Sequence, residues 1–269
     1  MLSDDALKAF RRNGFVACAT GFTGAEVRVL RELAEAEFDR DSAARVLEKD
    51  GRTVRGVHGS QRVNADFARL VRDPRLLGPA TAVLGGPAYV HQFKINAKKA
   101  MRGDVWPWHQ DFIFWNRADG MRDARMVNVA VLLDEATDVN GPLLVIPGTH
   151  LLGTLEPAAR ERPRTWESHL SADLEYAFDA PKIAELTADR EIVPIKGEAG
   201  AVFLFDPQLV HGSGTNMAPH DRRIVLVTYN HVDNVPDAVE HPRPEFLAAR
   251  DFAPLEPLEP GFVHGDRVE

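Results

Sequence analysis

One cysteine in 269 residues, Cys18, rules out an intrachain disulfide framework and suits a reducing compartment. It lies in the apolar stretch 15–19 and reads as an inert, packed thiol. No apolar run approaches the roughly 18 residues that a membrane span needs. The opening MLSDDALKAF carries acid where a secretion signal needs base. No run of about five or six Lys/Arg occurs, and the formal net charge is −8, which argues against a nucleic-acid partner. There is no Ser/His/Asp nucleophile arrangement, no internal repeat, no low-complexity tract and no domain linker. These absences predict a cytoplasmic protein acting on a small molecule, without membrane or nucleic acid. The sequence names no protein partner.

What is present is a chain that is 44% hydrophobic, enough for a large core. A single domain over residues 1–269 is predicted, with a helical part at about 1–86 and a β-rich core at about 88–232. Ser3 can cap a first helix that stops at Gly14. Thr23 and Glu26 have capping-box spacing before Val27, Leu30, Ala34 and Phe38 at helical period. A further helix is expected from Pro74 to Gly85-Gly86. Residues 41–63 read as a charged loop. Strands are predicted at 88–98, 105–111, 126–133, 142–146, 191–195, 201–206 and 222–230, a pattern of sandwich or barrel type. A polar, partly helical insertion at about 152–190 reads equally as a lid or as ornament. In the tail beyond Val235, rich in Pro and Glu, PRPEFLAAR is the one docking element.

The chemistry concentrates in WPWHQDFIFW. On an extended strand His109 and Asp111 share a face, while Gln110 points away. A histidine from elsewhere would complete a two-histidine, one-carboxylate metal face with open positions opposite. His211 follows an apolar strand and precedes a glycine-rich turn in GAVFLFDPQLVHGSGTN, as such a ligand requires. Arg222 comes eleven positions later, where an antiparallel return would bring it alongside His211. Arginine suits an anionic cosubstrate that chelates the metal by its other end, and Ser213 could donate to the same carboxylate. His150, in PGTH, is the rival third ligand. His58 and His91 are candidates for supporting or substrate-contacting roles. His169, His220, His231, His241 and His264 read as solvent-facing. In HQFKINAK, Gln92, Lys94, Asn96 and Lys98 share one face, either a wet surface or a ligand-filled interior; for Lys98 the wet reading is preferred. Trp115 is either core or a wall of the pocket.

The WHQD, PGTH and His211-Gly-Ser…Arg222 segments together resemble the phytanoyl-CoA dioxygenase superfamily of iron(II)/2-oxoglutarate oxygenases. LEKDGRTVRGVHG, YVHQFKINAK, GDVWPWHQDFIFW, NGPLLVIPGTH, VHGSGTNMAPHDR and RPEFLAARD resemble its amino-acid-modifying branch, which holds ectoine hydroxylases and, nearer still, bacterial free L-proline trans-4-hydroxylases. The resemblance implies a mainly β fold with flanking helices (α+β), a cupin-like double-stranded β-helix or jelly roll. It implies Fe(II) ligation by His109, Asp111 and His211, with 2-oxoglutarate and O₂ as cosubstrates. Arg222 and Ser213 would anchor 2-oxoglutarate, and Gln92 and Asn96 would line that side of the pocket. The presence of Asp111 argues against a halogenase-like variant. The implied reaction converts free L-proline to trans-4-hydroxy-L-proline. Lys94 or Arg55 would meet the substrate carboxylate, and Trp115 its ring. The amine has no identified acceptor. Pipecolate or ectoine hydroxylation is the alternative, followed by a non-catalytic cupin-like binding protein.

Overall fold

The computed structural model describes residues 2–157 and 166–259, without the side chains of Glu167 and Ser168. Its helices are α1 (Asp4–Asn13), α2 (Gly24–Asp39), α3 (Ala65–Leu70), α4 (Pro74–Leu84), α5 (Phe112–Asp119) and α6 (Ala180–Leu186). Its strands are β1 (Phe15–Ala17), β2 (Arg45–Leu47), β3 (Val54–His58), β4 (Ala88–Lys98), β5 (Trp106–His109), β6 (Met126–Leu132), β7 (Leu143–Val145), β8 (Val193–Ile195), β9 (Val202–Phe205), β10 (His211–Ser213) and β11 (Arg222–His231).

Local chemistry sets the helix ends. The Ser3 side chain accepts from Ala6 N, and Gly14 closes α1 in the left-handed region at φ 81°. Thr23 and Glu26 form the full reciprocal capping box of α2. Asp73 caps α4, whose first residue is Pro74. No helix among the described residues is long and apolar enough to cross a membrane.

The strands form a seven-stranded antiparallel sheet, β1-β9-β6-β11-β4-β3-β2, and a four-stranded sheet, β5-β10-β7-β8. Alternation along the large sheet creates two different faces. Val127, Val129, Val131, Phe93, Ile95, Ala97, Val225 and Val227 pack outward, in one cluster with Leu30, Phe38, Phe67 and Leu76 of the helices. Ala130, Leu132, Phe203, Phe205, Ile224 and Leu226 pack inward in a cluster with Val145, and Leu143, Val193 and Ile195 of the small sheet close over it. This is the expected jelly roll with external helices. The register between β11 and β4 slips at Thr228/Tyr229, where His91 is the extra residue.

Three sequence expectations change. Residues 45–47 and 54–58, expected as loop, extend the large sheet as β2 and β3, with β3 paired to β4. Arg55 and the other charges of that segment had obscured the strand-forming Val54 and Val57. The strand expected at 105–111 stops at His109, because Asp111 takes helical dihedrals (φ −68°, ψ −38°) and opens α5. His231, expected at the surface, is 3% exposed. Cys18 is half-buried, and burial raises its thiol to about 11, so it is unreactive as expected.

Phe93 is fully buried with its ring centroid 5.3 Å from that of Phe67, joining sheet to helices. Phe93→Ala should lower stability by about 3–5 kcal/mol in urea unfolding; a loss below about 1 kcal/mol would mean that this layer collapses around the cavity.

Candidate metal centre and substrate cavity

His109 ends β5 and His211 begins β10, and the two are register partners across the small sheet. Their ring centroids lie 4.2 Å apart. Asp111 Oδ1 is 3.6 Å from His109 Nε2, and Oδ2 is 3.8 Å from His211 Nε2. All three residues are buried, with ligand atoms within 4.8 Å of one another. Both imidazoles are fixed from behind. His109 Nδ1 donates to Pro107 O at 2.7 Å and His211 Nδ1 to Leu209 O at 2.9 Å. A carbonyl can only accept, so each Nε2 is left with a lone pair turned to the common centre. Asn128 Nδ2 donates to Asp111 Oδ2 at 2.9 Å, and Thr228 Oγ1 donates to Asn128 Oδ1 at 2.6 Å. Neutral imidazole nitrogens and a carboxylate on one side of an open cavity fit the facial donor set of a non-haem iron(II) ion.

Electrostatics favour an ionised Asp111 and a neutral His211. Burial works to raise the Asp111 carboxyl, but Lys94 and the two histidines outweigh it and hold it well below the carboxylate range. Burial, then His109, pushes His211 down to about 3, keeping it neutral. The Lys94 ammonium lies 3.5 Å from Asp111 Oδ1.

The cavity beside the triad is lined by residues from both sheets, α5, the insertion and the tail. At one end stands Arg222, register partner of Lys98. Its Nη2 donates to Gly141 O at 2.5 Å and to Ser213 Oγ at 3.2 Å, and the Ser213 hydroxyl in turn donates to Gly141 O at 2.8 Å. The Nε of Arg222 is buried with no partner. Burial lowers this guanidinium only to about 10, so it remains a cation. Asn96, on the same inward face, also has an unpartnered Oδ1. Lys98 is not on a wet face as preferred from sequence: it is 1% exposed and donates to Asp104 O. Burial, with Arg222 and Arg55 adding to it, draws Lys98 down to about 6.

The opposite end holds His58, Gln92, Lys94, Trp115, Phe114 and Arg243. Trp115 reaches it from α5 rather than from an extended strand, braced edge-on against His91 with centroids 5.6 Å apart. Gln92 donates its amide to Leu247 O at 2.8 Å, tying the tail to β4. Arg55 requires correction as a substrate ligand. It is fully buried behind the cavity, with Nη1 on Glu48 (2.9 Å), Nε on Leu170 O (3.0 Å) and Nη2 on Val105 O (2.7 Å), and it stacks 3.7 Å over Trp106. With all three of its nitrogens bonded to protein groups and its side chain absent from the cavity wall, this cation does not meet a ligand there.

Arg243 takes the place at the cavity that sequence reading had offered to Arg55. Asp119 grips its Nε (2.7 Å) and Nη2 (2.6 Å), and His91 lies 3.2 Å from the same carboxylate. Its signal was present in PRPEFLAAR, the docking element of the tail, whose target only the fold reveals. The described part of the insertion contributes His169, Leu170 and Leu174 to the wall, so His169 is not solvent-facing. His150 turns away, Nε2 donating to Arg11 O at 3.0 Å, and lies outside the triad. His220 and His241 are exposed as expected, and His264 lies outside the described residues.

A jelly roll with a two-histidine, one-carboxylate centre and a buried arginine beside it is the architecture of a non-haem oxygenase. The phytanoyl-CoA dioxygenase (PhyH) family matches residues 10–224, and the chain belongs to that family. L-proline trans-4-hydroxylase of Streptomyces griseoviridis is 40% identical over 95% of this chain and 96% of its own. Ectoine dioxygenase of Bordetella parapertussis is 34% identical over 96% of this chain and 86% of its own. EctD from S. alaskensis, crystallised with 2-oxoglutarate and 5-hydroxyectoine, superposes with a TM-score of 0.83 at 31% identity, covering 98% of this chain and 89% of that one.

Two outcomes follow from these contacts. Asp111→Ala and His211→Ala should each abolish stoichiometric Fe(II) binding in anaerobic titrations while leaving the far-ultraviolet circular dichroism unchanged, whereas His150→Ala should bind iron normally. Full iron occupancy in either ligand variant would refute the centre. Arg55→Met strands Glu48 as a buried, unpaired charge and should cost about 3–5 kcal/mol of stability by denaturant titration; stability within about 1 kcal/mol of the parent would show that Glu48 finds another partner.

Proposed function

We propose that this chain hydroxylates free L-proline to trans-4-hydroxy-L-proline, using Fe(II), 2-oxoglutarate and O₂ and releasing succinate and CO₂. The observation that carries the cosubstrate reading is Arg222: a buried cation, with one N–H unpartnered, opening onto the same cavity as the triad. A buried donor without a partner carries a cost of about 1–3 kcal/mol that an incoming carboxylate would remove. A binding protein that held only a metal would have no use for such an anchor. The choice of proline rests on the 40%-identical hydroxylase, which spans nearly the whole chain.

In this reading His109, Asp111 and His211 hold the iron. Arg222 fixes the far carboxylate of 2-oxoglutarate, with Ser213 holding Arg222 in place and Asn96 lining that side. Gln92 belongs to the same polar face, nearer the tail. When bound, the iron with 2-oxoglutarate and O₂ supplies the oxidising power that converts a ring C–H to C–OH. The remaining residues select and orient the carbon. Arg243, held by Asp119 through Nε and Nη2 and with Nη1 3.5 Å from His169 Nδ1, lines the cavity and would take the substrate carboxylate with a remaining N–H, with Lys94 adding a second positive charge on the same wall. Trp115, Phe114 and Leu174 form an apolar wall against which a five-membered ring fits and from which water is excluded.

Ectoine is the second reading, because ectoine dioxygenases match at 33–36% identity and their substrate also carries one carboxylate on a small ring. Succinate release with proline, pipecolate and ectoine, with the product position assigned by NMR, decides between them. Turnover of ectoine without turnover of proline would overturn the proline assignment and leave the oxygenase intact.

Two arginine variants should separate the ends of the cavity. Arg222→Ala should raise the 2-oxoglutarate requirement by about thirtyfold to several thousandfold, the cost of about 2–5 kcal/mol for truncating a buried charge pair, with little change for proline. Arg243→Ala should do the reverse. Steady-state kinetics in both cosubstrates is the measurement, and an exchanged pattern would reverse the two assignments. Lys94→Met should lower proline turnover while 2-oxoglutarate binding changes little.

A further inference from the structure

We infer that the His58 imidazole is the acceptor for the substrate amine, so that with Arg243 it makes the pocket specific for an α-amino acid rather than for a simple carboxylate. The inference rests on the substrate reading above and supplies the group that the sequence did not reveal.

His58 ends β3 and is the register partner of Lys94 on β4. It is 3% exposed and forms part of the cavity wall. Both of its ring nitrogens are buried without any hydrogen-bond partner. The other buried histidines of the site are tied down: His109 and His211 to carbonyls, His91 to Asp119, His169 to Glu175. A buried imidazole without partners costs stability unless something else completes it, by the reasoning that also marks Arg222. The cavity is where that partner would come from.

The chemistry of the surroundings selects the amine. Burial, then the nearby Lys94 and Arg243 charges, hold the ring down to about 3, so it is neutral and keeps one lone pair. The substrate carboxylate already has two cations, Lys94 and Arg243. In an α-amino acid the ammonium is one carbon from the carboxylate, so its acceptor must stand beside those same cations. His58 does: Lys94 is its strand partner, and the tail segment bearing Arg243 packs against it, with Phe246 so close to Gly59 that a Cβ there would meet it at 2.7 Å. Asp111 is already engaged by Asn128 and Lys94. Asn96 lies towards Arg222, its register partner on β11 being Ile224. A neutral acceptor also leaves the charge of the metal centre unaltered, which a carboxylate in the same place would not.

The test compares L-proline with tetrahydrofuran-2-carboxylate, which has the same ring with oxygen in place of the N–H donors. Binding is measured calorimetrically on the Fe(II)- and 2-oxoglutarate-loaded protein without O₂. The parent protein should favour proline by at least about tenfold. His58→Phe should weaken proline by about ten- to hundredfold, the usual loss of a hydrogen bond to a charged group, and leave the oxygen analogue within about twofold. His58→Gln keeps an acceptor and should restore most of the discrimination. Equal weakening of both ligands would make His58 a structural residue and overturn the assignment, as would unchanged proline affinity in His58→Phe. If the parent protein binds ectoine but not proline, the substrate reading itself fails and this assignment falls with it, an outcome distinct from the other two.

Discussion

Side chains leave a strand on alternate faces, and in the seven-stranded sheet every feature of the cavity depends on which face each residue takes. On β4, Phe93, Ile95 and Ala97 go to the helices, so Gln92, Lys94, Asn96 and Lys98 go inward. On β11, Val225 and Val227 go outward, leaving Arg222, Ile224, Leu226 and Thr228 inside. On β6, Asn128 is left inside beside Asp111. A slip of one residue would exchange the cavity wall for core. The outward Val, Ile and Phe residues, held by α2, α3 and α4, therefore fix the site as firmly as any contact inside it.

The inward face carries an unusual load of buried charge, and most of it is matched. Arg55 meets Glu48, Arg243 meets Asp119, and Lys94 meets Asp111, all at low exposure. Buried pairs of this kind contribute little net stability, since desolvation offsets the attraction. Here they hold side chains in single orientations. Arg55 joins β3 to Leu170 of the insertion and to Val105 just before β5; Arg243 fastens the tail to Asp119 at the end of α5. Among the residues that line the cavity, Arg222 Nε, Asn96 Oδ1 and both ring nitrogens of His58 are buried without a partner.

The sequence by itself determined the parts whose physics is local. Caps at Ser3 and Thr23, the helix start at Pro74, period-two alternation in β4, and the His-x-Asp spacing depend on residues a few positions apart, and each is found in the structure. The distant His211 and Arg222 were legible from sequence as a pair, but they stand on β10 and β11 in different sheets, and the facing of the two sheets rather than an antiparallel return brings them to one cavity. Charge alone could not say which arginine lines the cavity. Arg55 and Arg243 look alike as letters, and only the fold decides that Glu48 and two carbonyls surround the first, while Asp119 and His169 hold the second in the cavity wall. Asp111 shares its direction with His109 through the first turn of a helix rather than through strand parity, because its dihedrals are set by the packing of α5. Lys98 reads as a surface residue by type and is buried because Gly141 packs against its stem and Asp104 O takes its ammonium. Burial, and the partners that burial makes obligatory, depend on how distant segments pack, as where Arg55 meets Leu170 and Arg243 meets Asp119, so only the tertiary structure could settle them.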